Sequence, residues 1–150
     1  MGAKIEIRPF IPNDQARAVT LILEGLAEHF NAIDPTLNPD LNNIEESYQR
    51  QGSLFFVAEL NDDLVGTGAL VAETEDTGRI VRVSVASSHR RMGIGRLITK
   101  HLIQEAYRFH FSQIVVETNE DWYDAIRLYR RCGFTEYDRR DGEVHLMIHL

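Results

Sequence analysis

Arg90-Arg91-Met92-Gly93-Ile94-Gly95 follows the β-branched run Ile80-Val81-Arg82-Val83-Ser84-Val85 and opens a stretch with apolar residues at helical spacing. A strand that empties through a glycine-containing turn into a helix leaves a row of backbone N–H groups without intrahelical partners. Backed by the helix dipole, such a row holds phosphate. The stretch therefore sets two expectations at once: a fold in which strands alternate with helices, and a ligand that carries phosphate.

Charge agrees with the second. Residues 1–78 sum to −10 and residues 105–150 to −3, whereas Arg79, Arg82, Arg90, Arg91, Arg96 and Lys100 make the intervening segment +6, within a net charge of −7. A basic island around the glycine turn suits a local polyanion, and a solvated helix face is the plainer alternative. Nucleic acid asks for a broader basic face, so it is not an expected partner. The 150 residues, 43% hydrophobic and 26% charged, suffice for one domain over residues 1–150 with its own core. No apolar run reaches signal-peptide or membrane-spanning length, so no membrane partner is expected. The single cysteine, Cys132, rules out an internal disulfide and suits the cytoplasm.

Outward from the turn, the pattern alternates. Strands are expected at Lys4–Pro9, at Ser53–Leu60 and Leu64–Glu73 around the turn Asn61-Asp62-Asp63, and at Arg79–Val85. Further strands are expected at Gln113–Thr118, at Thr135–Tyr137 and at Val144–Leu150, the last two around Asp141-Gly142. Pro12-Asn13-Asp14 reads as the cap of a first helix with Val19, Ile22, Leu23, Leu26, Ala27 and Phe30 on its apolar face. A turn-rich stretch from Asn31 to Pro39 precedes a short helix, Asp40–Gln51, ended by Gly52. Two longer helices follow, Gly93–Phe109 and Asp121–Arg131, the second closed by Gly133. The order βααβββαβαββ predicts an α/β (α+β) fold: a mixed sheet with helices on both faces.

Three phosphate motifs compare with the turn. A dinucleotide fingerprint needs a third glycine where Ile98 stands, and a nucleotide P-loop needs Gly-Lys-Ser/Thr. Arg90-x-x-Gly93-x-Gly95 does resemble the Arg/Gln-x-x-Gly-x-Gly/Ala signature of the GCN5-related N-acetyltransferase (GNAT) superfamily, which binds the pyrophosphate of acetyl-CoA. Downstream, Ala125-Ile126-Arg127-Leu128-Tyr129-Arg130-Arg131-Cys132-Gly133-Phe134 is similar to that superfamily's second hallmark, Ala-x-x-Leu-Tyr-x-x-x-Gly-Phe. The two motifs in this order and spacing carry the resemblance over Arg79–Glu136.

The resemblance implies the GNAT acyl-CoA N-acyltransferase fold, with a mostly antiparallel central sheet, and acetyl-CoA as acetyl donor. It implies that main-chain groups of Val83, Ser84 and Val85 pair with pantetheine. It places backbone N–H groups of Arg91, Met92, Gly93, Ile94, Gly95 and Arg96 on the pyrophosphate, with the side chains of Arg90, Arg91 and Arg96 adding charge. Tyr129 stands where the family keeps its thiolate-protonating tyrosine; the alternative is a core aromatic. Many relatives carry a glutamate on the strand before the pyrophosphate loop, and here that strand has none. Glu117, twelve residues before Tyr129, is the next candidate base. It is equally readable as an arginine's partner or a helix cap. Glu73, Glu75 and His89 are weaker candidates. Trp122 replaces a cofactor-contacting asparagine and reads either as a contact to pantetheine or as a packed surface aromatic.

The acceptor expected from the resemblance is a primary amine of a small molecule or peptide. Glu24, Glu28, Asp34, Asp40, Glu45, Glu46, Glu73, Glu75 and Asp76 make the acceptor side acidic, which suits a cationic amine. A homodimer is a further expectation of the family. Cys132 reads as packing, and His145 and His149 on one strand fall short of a zinc ligand set, so no metal is expected. Two other classes stay open: a non-catalytic acyl-CoA-binding sensor module and an unrelated nucleotide-binding α/β protein.

Overall fold

The computed structural model describes residues 4–28 and 38–150. Phe30, Asp34 and the part of the turn-rich stretch up to residue 37 lie outside them. The elements follow the expected order: β1 (Glu6–Pro9), α1 (Gln15–Ala27), α2 (Ile44–Ser47), β2 (Leu54–Leu60), β3 (Asp63–Ala72), β4 (Thr77–Val85), α3 (Ile94–Arg108), β5 (Gln113–Asn119), α4 (Tyr123–Arg131), β6 (Thr135–Arg140) and β7 (Glu143–His149). Seven strands form one sheet in the order β1-β2-β3-β4-β5-β7-β6. Every neighbouring pair is antiparallel except β4 and β5, which α3 joins as a parallel crossover.

Helices cover both faces, so β2 and β5 bury successive residues rather than alternate ones. On one face, Phe55, Val57 and Ala69 of the sheet meet Ile22 of α1, Ile44 of α2, and Leu41 and Tyr48 beside them. On the other, Phe56, Leu70, Ile80, Ile114, Val116 and Leu146 meet Ile94, Ile98, Leu102 and Ala106 of α3 and Ile126 and Tyr129 of α4.

Three local differences from the sequence reading have physical causes. The expected helix Asp40–Gln51 breaks into a 3-10 turn at Pro39–Asn42, the single-turn α2 and another 3-10 turn at Gln49–Gln51. Asn43 adopts an extended backbone and caps α2 through its side chain, which accepts from the Glu46 N–H at 3.1 Å. Asp14 does occupy the cap position of α1, yet its carboxylate makes no capping bond. Fully buried, it accepts from both Nη atoms of Arg8 at 2.8 and 2.9 Å, from Arg17 at 3.0 Å and from the Ile11 N–H at 2.9 Å. Finally, β6 runs on to Arg140, because Asp141 and Gly142 close a tight hairpin with φ of +55° and +78°.

Candidate active site

β4 and β5 pair only at Thr77↔Gln113, Gly78↔Ile114 and Arg79↔Val115. Beyond that rung the strands part, while β4 keeps its partner β3 on the other side through Val85. Val83, Ser84 and Val85 therefore lie on the stretch of β4 that has no strand partner on the β5 side. A bulge lies in the same stretch: Ala69 faces Val81 and Thr67 faces Ser84, leaving Arg82 and Val83 opposite Gly68 alone. Arg82 takes φ of +57°, and the Thr67 hydroxyl donates to its carbonyl at 2.8 Å.

Past β4, a 3-10 turn at Ser87–His89 leads to Arg90, to Arg91 with φ of +64° and to Gly93 with φ of +78° at the cap of α3. The first α3 amide bond runs from Leu97 N–H to Gly93 O at 3.0 Å; the N–H groups of Ile94, Gly95 and Arg96 meet no acceptor among the described residues. Two left-handed residues next to a helix start form a concave row of donors suited to an anion. The glycines divide the labour. Gly93 supplies the backbone angle, whereas a Cβ on Gly95 would lie 3.2 Å from Leu128 Cδ2, so Gly95 lets α3 approach α4. The arginines divide too: Arg90 pairs with Glu28 of the chain leaving α1 at 2.5 Å, while exposed Arg91 and Arg96 form no ion pair among the described residues.

Tyr129 is buried, its ring edge-on to Phe134 at a centroid distance of 5.7 Å. Its hydroxyl has no hydrogen bond among the described residues, and burial pushes the phenol well above its ordinary pKa. It stays a proton donor. Glu117 points to the opposite face of β5 from Ile114 and Val116, and its carboxylate contacts the Arg79 guanidinium. Arg79 also holds Glu73 with two bonds, at 2.8 and 3.0 Å. Trp122 is half-buried at the cap of α4, its N–H bonded to Asn119 O at 3.0 Å. The Asn119 side chain is used locally, accepting from the Asp121 N–H at 2.9 Å. Burial pushes the half-buried Cys132 thiol up, against the pull of Arg96 and Lys100.

The sequence reading missed a cavity of about 430 Å³ on the α2 side of the gap, where Asp40, Tyr48, Arg79, Arg82 and Glu117 converge. Arg82 clamps Asp40 with two bonds, at 3.0 and 2.7 Å, and the Tyr48 hydroxyl donates to the same carboxylate at 2.5 Å. Burial pushes Asp40 up, but the Arg82 and Tyr48 hydrogen bonds outweigh it and leave the carboxyl below its ordinary range. Burial and the Asp40 bond push Tyr48 up to about 12. Arg82 counted in the sequence only as one charge of the basic island. Nothing in a β-branched run marks the bulge that turns its side chain toward Asp40.

The sequence matches the Acetyltransferase (GNAT) family over residues 20–134. It is 33% identical to N-acetyltransferase 8B of Rattus norvegicus over 110 residues, 69% of this chain and 50% of that protein. The chain spans about half the length of the curated relatives it matches. Its fold superposes on an acetyltransferase of the GNAT family from Staphylococcus aureus Mu50 with a TM-score of 0.89 at 23% identity, covering 97% of this chain and 99% of that one. A GNAT family acetyltransferase from Elizabethkingia anophelis with acetyl-CoA bound gives a TM-score of 0.71 at 20% identity, over 97% and 98% of the two chains. Among the described residues, no helix is long and apolar enough to cross a membrane.

Proposed function

This chain belongs to the GNAT acetyltransferase family, and from that premise we propose that it is an N-acetyltransferase, one domain over residues 1–150 acting in the cytoplasm. It would move an acetyl group from acetyl-CoA directly to a primary amine of a small molecule or peptide, within a ternary complex. The observation that carries this is the parting of β4 from β5 after Arg79, beside the unpaired N–H groups of Ile94, Gly95 and Arg96. An exposed strand edge suits the amides of pantetheine, and the row of donors suits its pyrophosphate.

Acetyl transfer needs a polarised thioester carbonyl, a neutral amine, close approach and a proton for the departing thiolate. Acetyl-CoA supplies the activated acyl group. A backbone N–H of the bulged strand near Val83 polarises the carbonyl, and Tyr129 donates the proton to sulfur. Glu117 accepts the amine's proton, directly or through water. Arg91 and Arg96, which form no ion pair among the described residues, lie nearest the pyrophosphate; Trp122 lines the pantetheine side.

The acidic acceptor side supports recognition of an ammonium group. It supports a polycation less well, since Asp40, Glu73, Glu28 and Glu45 are engaged by Arg82, Arg79, Arg90 and Arg50. One observation favours a second reading, a non-catalytic acyl-CoA-binding module: the Glu117 carboxylate is already held by Arg79. Release of free thiol from acetyl-CoA across a panel of amines separates the two. Amine-dependent release supports transfer; binding without release under any amine supports the module.

A further inference from the structure

Resting on the acetyltransferase reading, we propose that the acceptor amine also carries a carboxylate. It is a free α-amino acid or a small molecule of that type, seated in the cavity beside the β4 bulge with its carboxylate on Arg82 and its amine toward Glu117.

The open hydrogen-bonding positions of the cavity carry the argument. Its charged lining is Asp40, Arg79, Arg82 and Glu117, two of each sign, so it is neutral as a whole. Most of that capacity is used internally. Both oxygens of Asp40 are taken by Arg82, and one of them by Tyr48 as well. All three nitrogens of Arg79 are engaged, two by Glu73 and one by Glu117.

Two positions stay open among the described residues. Arg82 uses Nε and Nη2 on Asp40 and Asn38 and lies beside the Tyr48 hydroxyl, while its Nη1 makes no bond to either Asp40 or Asn38. Glu117 uses Oε2 on Arg79, leaving Oε1. A cavity of about 430 Å³ that offers one unspent cationic donor and one unspent anionic acceptor is complementary to a zwitterion.

The competing acceptors fit less well. A diamine sets its second ammonium against Arg79 and Arg82, and a simple amine leaves the Arg82 donor unanswered in a partly desolvated site. The bulge adds a structural reason. A non-glycine residue at φ of +57°, pinned by Thr67 through its carbonyl and by Asp40 through its side chain, is held where an unstrained strand would not put it.

The test compares three acceptors that share one side chain: the free L-amino acid, its amide and its decarboxylated amine. Acetyl-CoA is the donor, and kcat/KM is expressed per unprotonated amine because the three amines differ in pKa. The wild-type protein should prefer the free amino acid by about 10- to 100-fold, the range for one charge-assisted hydrogen bond. Arg82→Gln should abolish that preference through KM, and Arg82→Lys should restore part of it. The wild-type comparison needs no variant, so a folding defect in Arg82→Gln cannot obscure it. Preference for the amide or the decarboxylated amine, or a preference that survives Arg82→Gln, overturns this inference and leaves acetyl transfer standing. Binding of acetyl-CoA with no acetylation of any of the three overturns the acetyltransferase reading and this inference with it.

Discussion

Arg79 stands on the last rung that joins β4 to β5, and its guanidinium closes onto Glu117, two residues beyond its register partner Val115. The ion pair thus bridges the strands where the cleft begins. It holds the candidate base at the edge of the cavity lined by Asp40, Tyr48 and Arg82.

Replacing Glu117 by Gln keeps the shape and removes the base. Turnover should fall about 100-fold, within the usual contribution of general base catalysis. The affinity for acetyl-CoA should change by less than about twofold, because the phosphate cradle lies on α3 and makes no contact with this carboxylate. Steady-state rates beside calorimetric titration check both. A lower melting temperature with unchanged turnover would make Glu117 a structural tie and nothing more.

Tyr129→Phe removes a hydroxyl that has no hydrogen bond among the described residues and keeps the ring against Phe134. Stability should therefore change by less than about 0.5 kcal/mol, while kcat falls about 100-fold. Burial lifts the phenol above its ordinary value, so its ionisation should bring no alkaline loss of rate up to about pH 10. Thermal melts and a pH–rate profile read these outcomes. An undiminished kcat in Tyr129→Phe would contradict the assignment.

Asp14 gives a pH prediction for the fold. Burial pushes its carboxyl up, but the bonds from Arg8 and the Ile11 N–H, with the charges of Arg8 and Arg17, hold it below the ordinary range. A carboxyl depressed by folding contributes fully above its unfolded pKa of about 4 and progressively less as pH falls through the depressed value. Denaturant midpoints should drop below about pH 4. Asp14→Asn should cost about 2–4 kcal/mol at neutral pH and flatten that drop, since it leaves Arg8 without its main partner.

At Gly93, φ of +78° disfavours any side chain. Gly93→Ala should destabilise by about 1–2 kcal/mol and weaken acetyl-CoA binding, and Gly93→Asn should be milder because asparagine tolerates the left-handed region. Melting curves with and without acetyl-CoA compare the pair. Equal behaviour of the two variants would show that the backbone angle is not what matters there.

These residues also show how far the sequence could be read. The element order, the crossover and the glycine turn before α3 were legible because hydrophobic period and glycine position are local signals, as in Gly93-Ile94-Gly95. The resemblance implied a pantetheine contact at Val83, Ser84 and Val85, and the pairing of β4 with β5 stops short of them, at Arg79. The division of roles was not legible. Asp14 reads as a cap in sequence and is a buried hub for Arg8 and Arg17. Gly95 reads as a phosphate contact, and its missing side chain also makes room for Leu128. Arg82 reads as one charge of the basic island and lines a cavity with Asp40 and Glu117. Each of those depends on partners 3 to 44 residues away in the chain, at bonds such as Arg17 to Asp14 and Arg82 to Asn38. Side-chain pattern along one element carries no record of them.

The central claim is that the start of α3 holds the pyrophosphate of acetyl-CoA. Calorimetric titration with acetyl-CoA, comparing the wild-type protein with the Arg91→Glu, Arg96→Glu double variant, tests it most directly, since both side chains are exposed and their reversal leaves the core intact. The account predicts micromolar binding that weakens at least about 10-fold in the variant and with rising salt. Equal affinity in the two proteins, or no binding by folded wild-type protein, would contradict it.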